Sequence, residues 1–412
     1  MDAAKVVSEN ASASIWNRSF RLLVGSRASS TLAFQIQAVA VGWQIYALTH
    51  STFQLGMAGL AQFLPMVLLN LVVGHVADHY NRRNIVAICQ VVECGCATFL
   101  AVGSFGGWLT VPMMYGAIFM LGAARAFEGP SMQALTPGLV EKNQLPKAMA
   151  TMSSFFQTAA IVGPALGGFL YVLGPAACYS STATLFLIGS LATSSIRFVY
   201  TVPRREPATM KSIFLGINFI RSRPAVLGAI SLDLFAVLLG GATALLPVFA
   251  REILHTGPWG LGLLRASPAL GALTMSVTLA HRPIPGNAGK AMFSAVMTFG
   301  AATVVFALSH WIPLSMLALF TLGASDVVSV VIRQSLVQLE TPDAMRGRVS
   351  AVNSLFIGTS NQLGEFESGV TAAWWGTVPA TVIGGVGSIV VAGLWMFLFP
   401  DLRKLDKLRA RE

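Results

Sequence analysis

Charge is what this sequence has least of. Asp, Glu, Lys and Arg together make up 11% of its 412 residues, against about a quarter in a soluble globular protein. So few charges cannot cover a folded surface in water, which excludes a soluble enzyme, and an apolar fraction of 54% excludes a disordered chain. Acids are scarcer than bases, 17 against 27, leaving a net charge of +10. Nucleic-acid binding needs such bases gathered on one face, whereas here they form short clusters between apolar runs, so no nucleic-acid partner is expected. Only four cysteines occur, Cys89, Cys94, Cys96 and Cys178, all inside or at the edge of apolar runs. Cys94 and Cys96 are two apart on a helix and point to different faces, so neither a metal site nor a disulfide is expected. Nucleotide-binding loops, paired metal-ligand motifs and nucleophile elbows are missing too, which argues against an ATP-driven pump, an enzyme or a bound cofactor.

What the sequence does have is long apolar runs and a mean hydropathy of +0.68. A crossing helix takes about 20 apolar residues, so at roughly 34 residues per crossing and loop the chain has room for about twelve. The runs cover 22–48, 53–77, 85–105, 109–133, 148–173, 176–199, 224–250, 259–280, 290–309, 312–338, 348–372 and 376–399. Each is continuously apolar rather than alternating, so the expected fold class is all-α integral membrane, not a barrel. The first 17 residues are polar, and no cleavable signal peptide is expected.

The bases also set an orientation. Of the 27 Lys and Arg, Arg27, Arg125, Arg265 and Arg333 lie within spans and Arg251 alone falls in an outer loop, while the remaining 22 share one side. By the positive-inside rule, both termini are cytoplasmic in a multi-pass protein of the inner or plasma membrane, with the bilayer as its solvent. A shift of 201 residues lays Leu121-Gly122-Ala123 on Leu322-Gly323-Ala324, Gln133 on Gln334, Ser153 on Ser354, Gly163 on Gly364 and Gly168 on Gly369. A register shared through two spans and a loop predicts two parallel six-helix repeats with a substrate site at their interface. The expected divisions are 1–200, a cytoplasmic linker 201–223 with a short amphipathic helix, 224–400, and a basic tail 401–412.

Four motifs carry chemistry. Gly74-His75-Val76-Ala77-Asp78 followed by Arg82 and Arg83 sits in the loop after the second span. Here the chain resembles the major facilitator superfamily, whose gating motif is Gly-x-x-x-Asp followed by bases in this same loop. The matching loop of the second half, from His281 to Gly286, has bases but no acid, which implies asymmetric gating. Arg125 and Glu128, three apart in the fourth span, share a helix face, where each offsets the other's desolvation. The spacing resembles the motif whose Arg is linked to proton transfer, with Glu128 where that motif commonly has Gln; Arg125 is either a proton-site organiser or Glu128's counter-ion. Gly163-Pro164-x-x-Gly167-Gly168 makes a pliable fifth helix that packs closely. It resembles the motif of export-directed antiporters, with Ala159 in place of the leading Gly. In the eleventh span Glu365 and Glu367 replace Pro164 and Leu166 of the repeat. Asn353 to Gly369 further resembles the efflux branch of enterobactin-exporter-like and multidrug permeases.

Depth sorts the other buried charges. Asp233 lies nine residues into its span, about 14 Å deep in a core of roughly 30 Å, and is a midplane acid without a partner on its own helix. It is the expected proton site, with Glu128 and Arg125 as partners. Glu93 reaches a similar depth, but third spans in this superfamily are peripheral, which implies a packing or loop-facing role. Arg27 and Arg265 lie within about 10 Å of an interface and can snorkel. Glu365 falls about 26 Å from the inner edge, near the outer mouth, where it and Glu367 are either further proton-coupling candidates or solvated carboxylates. Asp326 and Arg333, seven apart, share a face and are expected in one polar network. The function these features imply is a monomeric secondary transporter that exports small amphipathic, drug-like or siderophore-like molecules by proton antiport with alternating access. The alternatives are an uptake permease of the same fold, a non-transporting sensor or scaffold, and a membrane-embedded enzyme.

Overall fold

The computed structural model describes residues 15–197, 210–282 and 286–406. Twelve long helical segments are found among them: α1 (Arg18–Thr49), α2 (Thr52–His79), α3 (Arg82–Phe105), α4 (Val111–Leu135), α5 (Leu145–Tyr171), α6 (Pro175–Ser194), α7 (Pro224–Leu239 with a continuation to Ile253), α8 (Pro258–His281), α9 (Ala288–Leu308), α10 (Ile312–Glu340), α11 (Asp343–Trp375) and α12 (Thr377–Leu398). Eight of these are long and apolar enough to cross a membrane. The other four, α1, α4, α5 and α11, are 32, 25, 27 and 33 residues long. Their lower hydropathy has a cause, since all four line the interior cavity with polar side chains.

Polar side chains cap the starts of the first three helices. Asn17 Oδ1 accepts from Phe20 N–H at 2.8 Å, and Asn81 Oδ1 accepts from Arg83 N–H at 3.0 Å, each satisfying a donor that the first turn leaves free. The turn between α11 and α12 is a single residue, Gly376, at φ +89, a backbone state that only glycine holds without strain.

Helices α1–α6 pack mainly on one another, as do α7–α12. Between the groups, α5 meets α8 and α2 meets α11. Small residues allow both crossings. A Cβ added at Gly168 would stand 2.9 Å from Gly262 Cα, and one at Gly369 would stand 2.6 Å from Gly56 Cα. Both contacts lie at one end of the bundle, called here the far end.

Helix α7 is broken, which its apolar sequence does not announce. After Leu239 the chain passes through Gly240-Gly241 into a 3₁₀ turn, Ala242–Leu245, and ends in a π-turn, Phe249–Ile253. The break lies where the backbones of α11 and α12 come close: a Cβ at Gly241 would stand 2.5 Å from Gly364 O, and one at Gly384 would stand 2.2 Å from Leu239 O.

The amphipathic linker helix is present as Met210–Arg221, its Ile217 and Ile220 resting on the second group and Arg223 beyond it 3.8 Å from Glu340. The stretch Pro203 to Pro207 lies outside the described residues. The start of the expected basic tail is docked rather than free: Leu402 is buried, and Asp406 Oδ1 accepts from Asn287 N–H at 2.8 Å.

Candidate functional site

Two cavities separate the helix groups. The larger, about 750 Å³, lies toward the end that carries the linker helix, between Arg27, Gln133 and Phe156 on one side and Gln334, Gln338 and Asn353 on the other. The smaller, about 210 Å³, lies deeper and is ringed by Gln35, Gln37, Gln62, Gln362, Arg265 and Glu365. Both side-chain polar atoms of Gln37, and Arg265 Nε, are buried without hydrogen-bond partners, so the inner cavity offers donors and an acceptor that a polar molecule could satisfy.

Three groups of charge surround this interior. In the first, Arg125 Nη1 lies 3.4 Å from Glu128 Oε2 and 3.9 Å from Glu93 Oε1. Glu128 Oε1 also accepts from Ser30 Oγ at 2.7 Å and Gln90 Nε2 at 3.0 Å. Gln90 Oε1 in turn accepts from Thr193 Oγ1 at 3.0 Å, so α1, α3, α4 and α6 all contribute to one polar network. The Arg125 guanidinium stacks 4.0 Å over the Phe34 ring, a cation–π contact that favours a desolvated charge. The second group joins α7, α10 and α11. Arg333, 2% exposed, sits 3.2 Å from Asp233 and donates to Asn353 Oδ1 at 3.4 Å. Asp326 lines the same small void as Asp233. The third group is Arg265 and Glu365, which both line the smaller cavity.

Several expectations are corrected here. Asp233 pairs with Arg333, not with Arg125 and Glu128, because nine residues into α7 it faces α10 within its own helix group. Of the two roles expected for Glu93, the loop-facing one is ruled out: it is fully buried against Arg125. Arg27 does not snorkel to a membrane surface but lies 5.3 Å from the Phe156 ring, in the larger cavity. Arg265 turns inward as well, and Glu365 is not at a solvated mouth: its side chain lies against Gly59 of α2, where a Cβ would stand 3.1 Å from Glu365 Oε2.

The other motif residues are placed as follows. Asp326 lines the same void as Asp233, the ion-pair partner of Arg333. Gly163, Pro164, Gly167 and Gly168 form the contact face of α5: a Cβ at Gly163 would reach 2.5 Å from Gln35 Cβ, one at Gly167 would reach 3.0 Å from Ile36 O, and Pro164 O lies against Gly262. Arg82 donates to Ala134 O at 3.4 Å and Arg83 to Ile196 O at 3.1 Å, tying the start of α3 to the ends of α4 and α6. Gly74 and Asp78 lie in the last turns of α2, and the Asp78 side chain lies outside the described residues. Glu367, beside Ser368, joins none of the three charge groups among the described residues. Sequence reasoning passed over Ser30, Gln37 and Gln90; the signal available was a set of hydroxyl and amide side chains inside otherwise apolar spans.

A nearly all-helical fold with paired charges buried around a central cavity defines a multi-pass membrane transporter. The chain belongs to the transmembrane secretion effector family, whose profile matches residues 10–411, and so to the major facilitator superfamily. It is 28% identical over 397 residues to a protein of Citrobacter koseri named enterobactin exporter EntS, covering 93% of this chain and 92% of that one. The protein of the same name from Escherichia coli O1:K1 is 26% identical over the same shares. Among solved structures, a mutant of nucleoside transporter NupG aligns with a TM-score of 0.75 at 15% identity, over 93% of this chain and 100% of that one. A bacterial homolog of the human lysosomal transporter Spinster, inward-facing and occupied, aligns at 0.73 and 12%, over 94% and 97%. The relatives are transporters, not enzymes.

Proposed function

We propose that this chain is a twelve-span, proton-driven exporter of small amphipathic molecules of the siderophore or drug type, monomeric in the inner membrane with both termini cytoplasmic. Its two six-helix halves rock about the central cavity, which opens alternately to each side. The observation that carries this reading is the interior itself. A cavity is open between the helix groups toward the linker end, is shut at the far end by two glycine crossings, and has an acid and Arg group embedded on each side. The two crossings also match under the 201-residue shift, since Gly168 falls on Gly369. With the linker end cytoplasmic, this conformation faces inward.

Coupling follows from charge. Ionised carboxyls are costly inside a membrane unless compensated, so the acids at Asp233, Asp326, Glu128 and Glu365 are where a proton and a conformational change become linked. Asp233 remains the principal candidate, now with Arg333 as its counter-ion, and cargo and proton exclude one another from the same opening. The likeness to enterobactin exporters favours a siderophore cargo, and an interior ringed by amides and lined by Phe34 and Phe156 suits a molecule with both polar and apolar surface.

The test is transport in proteoliposomes under an imposed pH gradient, with catecholate siderophores, cationic dyes and drugs as cargo. Cargo moving against the proton flux supports antiport. Cargo moving with the protons establishes the uptake permease instead, and no movement of any cargo with any gradient defeats the reading.

A further inference from the structure

Glu93 has no exposed surface, and neither of its carboxyl oxygens has a hydrogen-bond partner. A carboxylate deprived of water and of donors persists only if its charge is compensated nearby or removed. Compensation here is a single guanidinium, and it leans the other way: Arg125 is 3.4 Å from Glu128 but 3.9 Å from Glu93. Glu128 takes the Ser30 hydroxyl and the Gln90 amide as well. All the well-placed donors therefore serve Glu128, and two carboxyls sharing one Arg in a dry site cannot both stay ionised.

The surroundings offer Glu93 no second cation. On its own helix its titratable neighbours are the thiols of Cys89 and Cys96, which are uncharged. Helix α4 brings Arg125 and Glu128, and from α1 Arg27 acts on those two rather than on Glu93. Helix α6, packed along α3, has no Asp, Glu, Lys, Arg or His, and its Cys178 and Tyr179 pack beside Leu100 and Ala101, farther along α3. Arg125 is a quarter exposed and stacks on Phe34, which borders the smaller cavity, so the guanidinium lies on the interior side of the fully buried Glu93.

We infer that Glu93 is a proton-binding residue of the first helix group, holding a proton in this conformation while Glu128 is ionised. The two acids and Arg125 form an exchange pair. When Arg125 shifts its partnership from Glu128 to Glu93, Glu93 releases its proton. This adds a second proton site to that of Asp233 and rests on the antiport reading for its role in transport, although the protonation itself can be tested without transport.

Infrared spectroscopy of the purified protein at neutral pH reads it out through the carbonyl stretch of a protonated carboxyl. Wild type should show a component that the near-isosteric Glu93→Gln lacks. Glu128→Gln should lose the same component, because Arg125 then has only Glu93 to serve. An unchanged band in a monodisperse Glu93→Gln protein overturns the inference, and persistence of the component in Glu128→Gln overturns the sharing of Arg125. Should Glu93→Gln not fold, Glu93→Asp, which keeps the carboxyl on a shorter arm, must retain a protonated component shifted in frequency; loss of that component also overturns it. In proteoliposomes the protons exchanged per cargo should fall by about one in Glu93→Gln. A wild type indifferent to the pH gradient defeats antiport alone, since the band is read without transport; an unchanged band beside pH-driven wild-type transport defeats only the assignment to Glu93.

Discussion

The contact between Arg333 and Asp233 is the most consequential single pair in the molecule. Both are nearly fully buried, and removing one leaves the other's charge in a low-dielectric interior, a loss of about 3–5 kcal/mol in comparable buried pairs. Arg333→Met should therefore lower the thermal transition of the detergent-solubilised protein by several degrees, and Asp233→Asn should restore part of it by removing the orphaned charge. Additive losses in the double variant would show that the pair is not coupled. Asp233→Asn alone should abolish pH-gradient-driven efflux while keeping cargo binding that no longer weakens as pH falls. Wild-type pH dependence in that variant would move the coupling to Glu128, Glu365 or Glu367. At this scale sequence reading identified which residues are charged within spans and the pairing of Arg125 with Glu128 on one helix, but not the partners that lie on other helices. Depth along a helix follows from counting at about 1.5 Å per residue; which neighbour a side chain meets depends on helix rotation, which an almost uniformly apolar helix does not encode. For Glu93 the depth follows from counting, whereas the contact with Arg125 does not.

Helices are the scale at which the sequence is most readable. Boundaries and order follow from apolar length, and the glycine face of α5 follows from Gly163, Gly167 and Gly168. The break in α7 does not, because Gly240-Gly241 resembles any small-residue pair until α11 and α12 are seen to press on it. Two predictions belong here. Gly369→Val places a branched side chain where even a Cβ stands 2.6 Å from Gly56 Cα, so the far end should open. Cysteines introduced at Thr52 and Thr371 should then react faster with aqueous reagents, and equal rates would show that the crossing is not a gate. At the other end, Asp78→Asn should favour the inward-facing state if the acid latches α2 to the start of α11. Spin-label distances between 78–84 and 341–347 should lengthen, and unchanged distances with normal transport would reduce Asp78 to a surface charge.

For the whole molecule the testable quantity is its orientation in the bilayer. Cysteines at Lys142, Arg205 and Arg411 should label only from the cytoplasm, and one at Thr256 only from outside; the opposite pattern would reverse the direction of transport argued above. A further consequence comes from the make-up of two of the three charge groups. Each pairs two carboxyls with one guanidinium, Glu93 and Glu128 with Arg125, and Asp233 and Asp326 with Arg333, so each carries −1 with both acids ionised and zero with one proton. A charge moved across the bilayer does work against the membrane potential of about 2.3 kcal/mol per 100 mV. Helix groups that reorient with both sets neutral do no such work, and the cargo's own charge then decides whether the cell's voltage speeds or slows its exit.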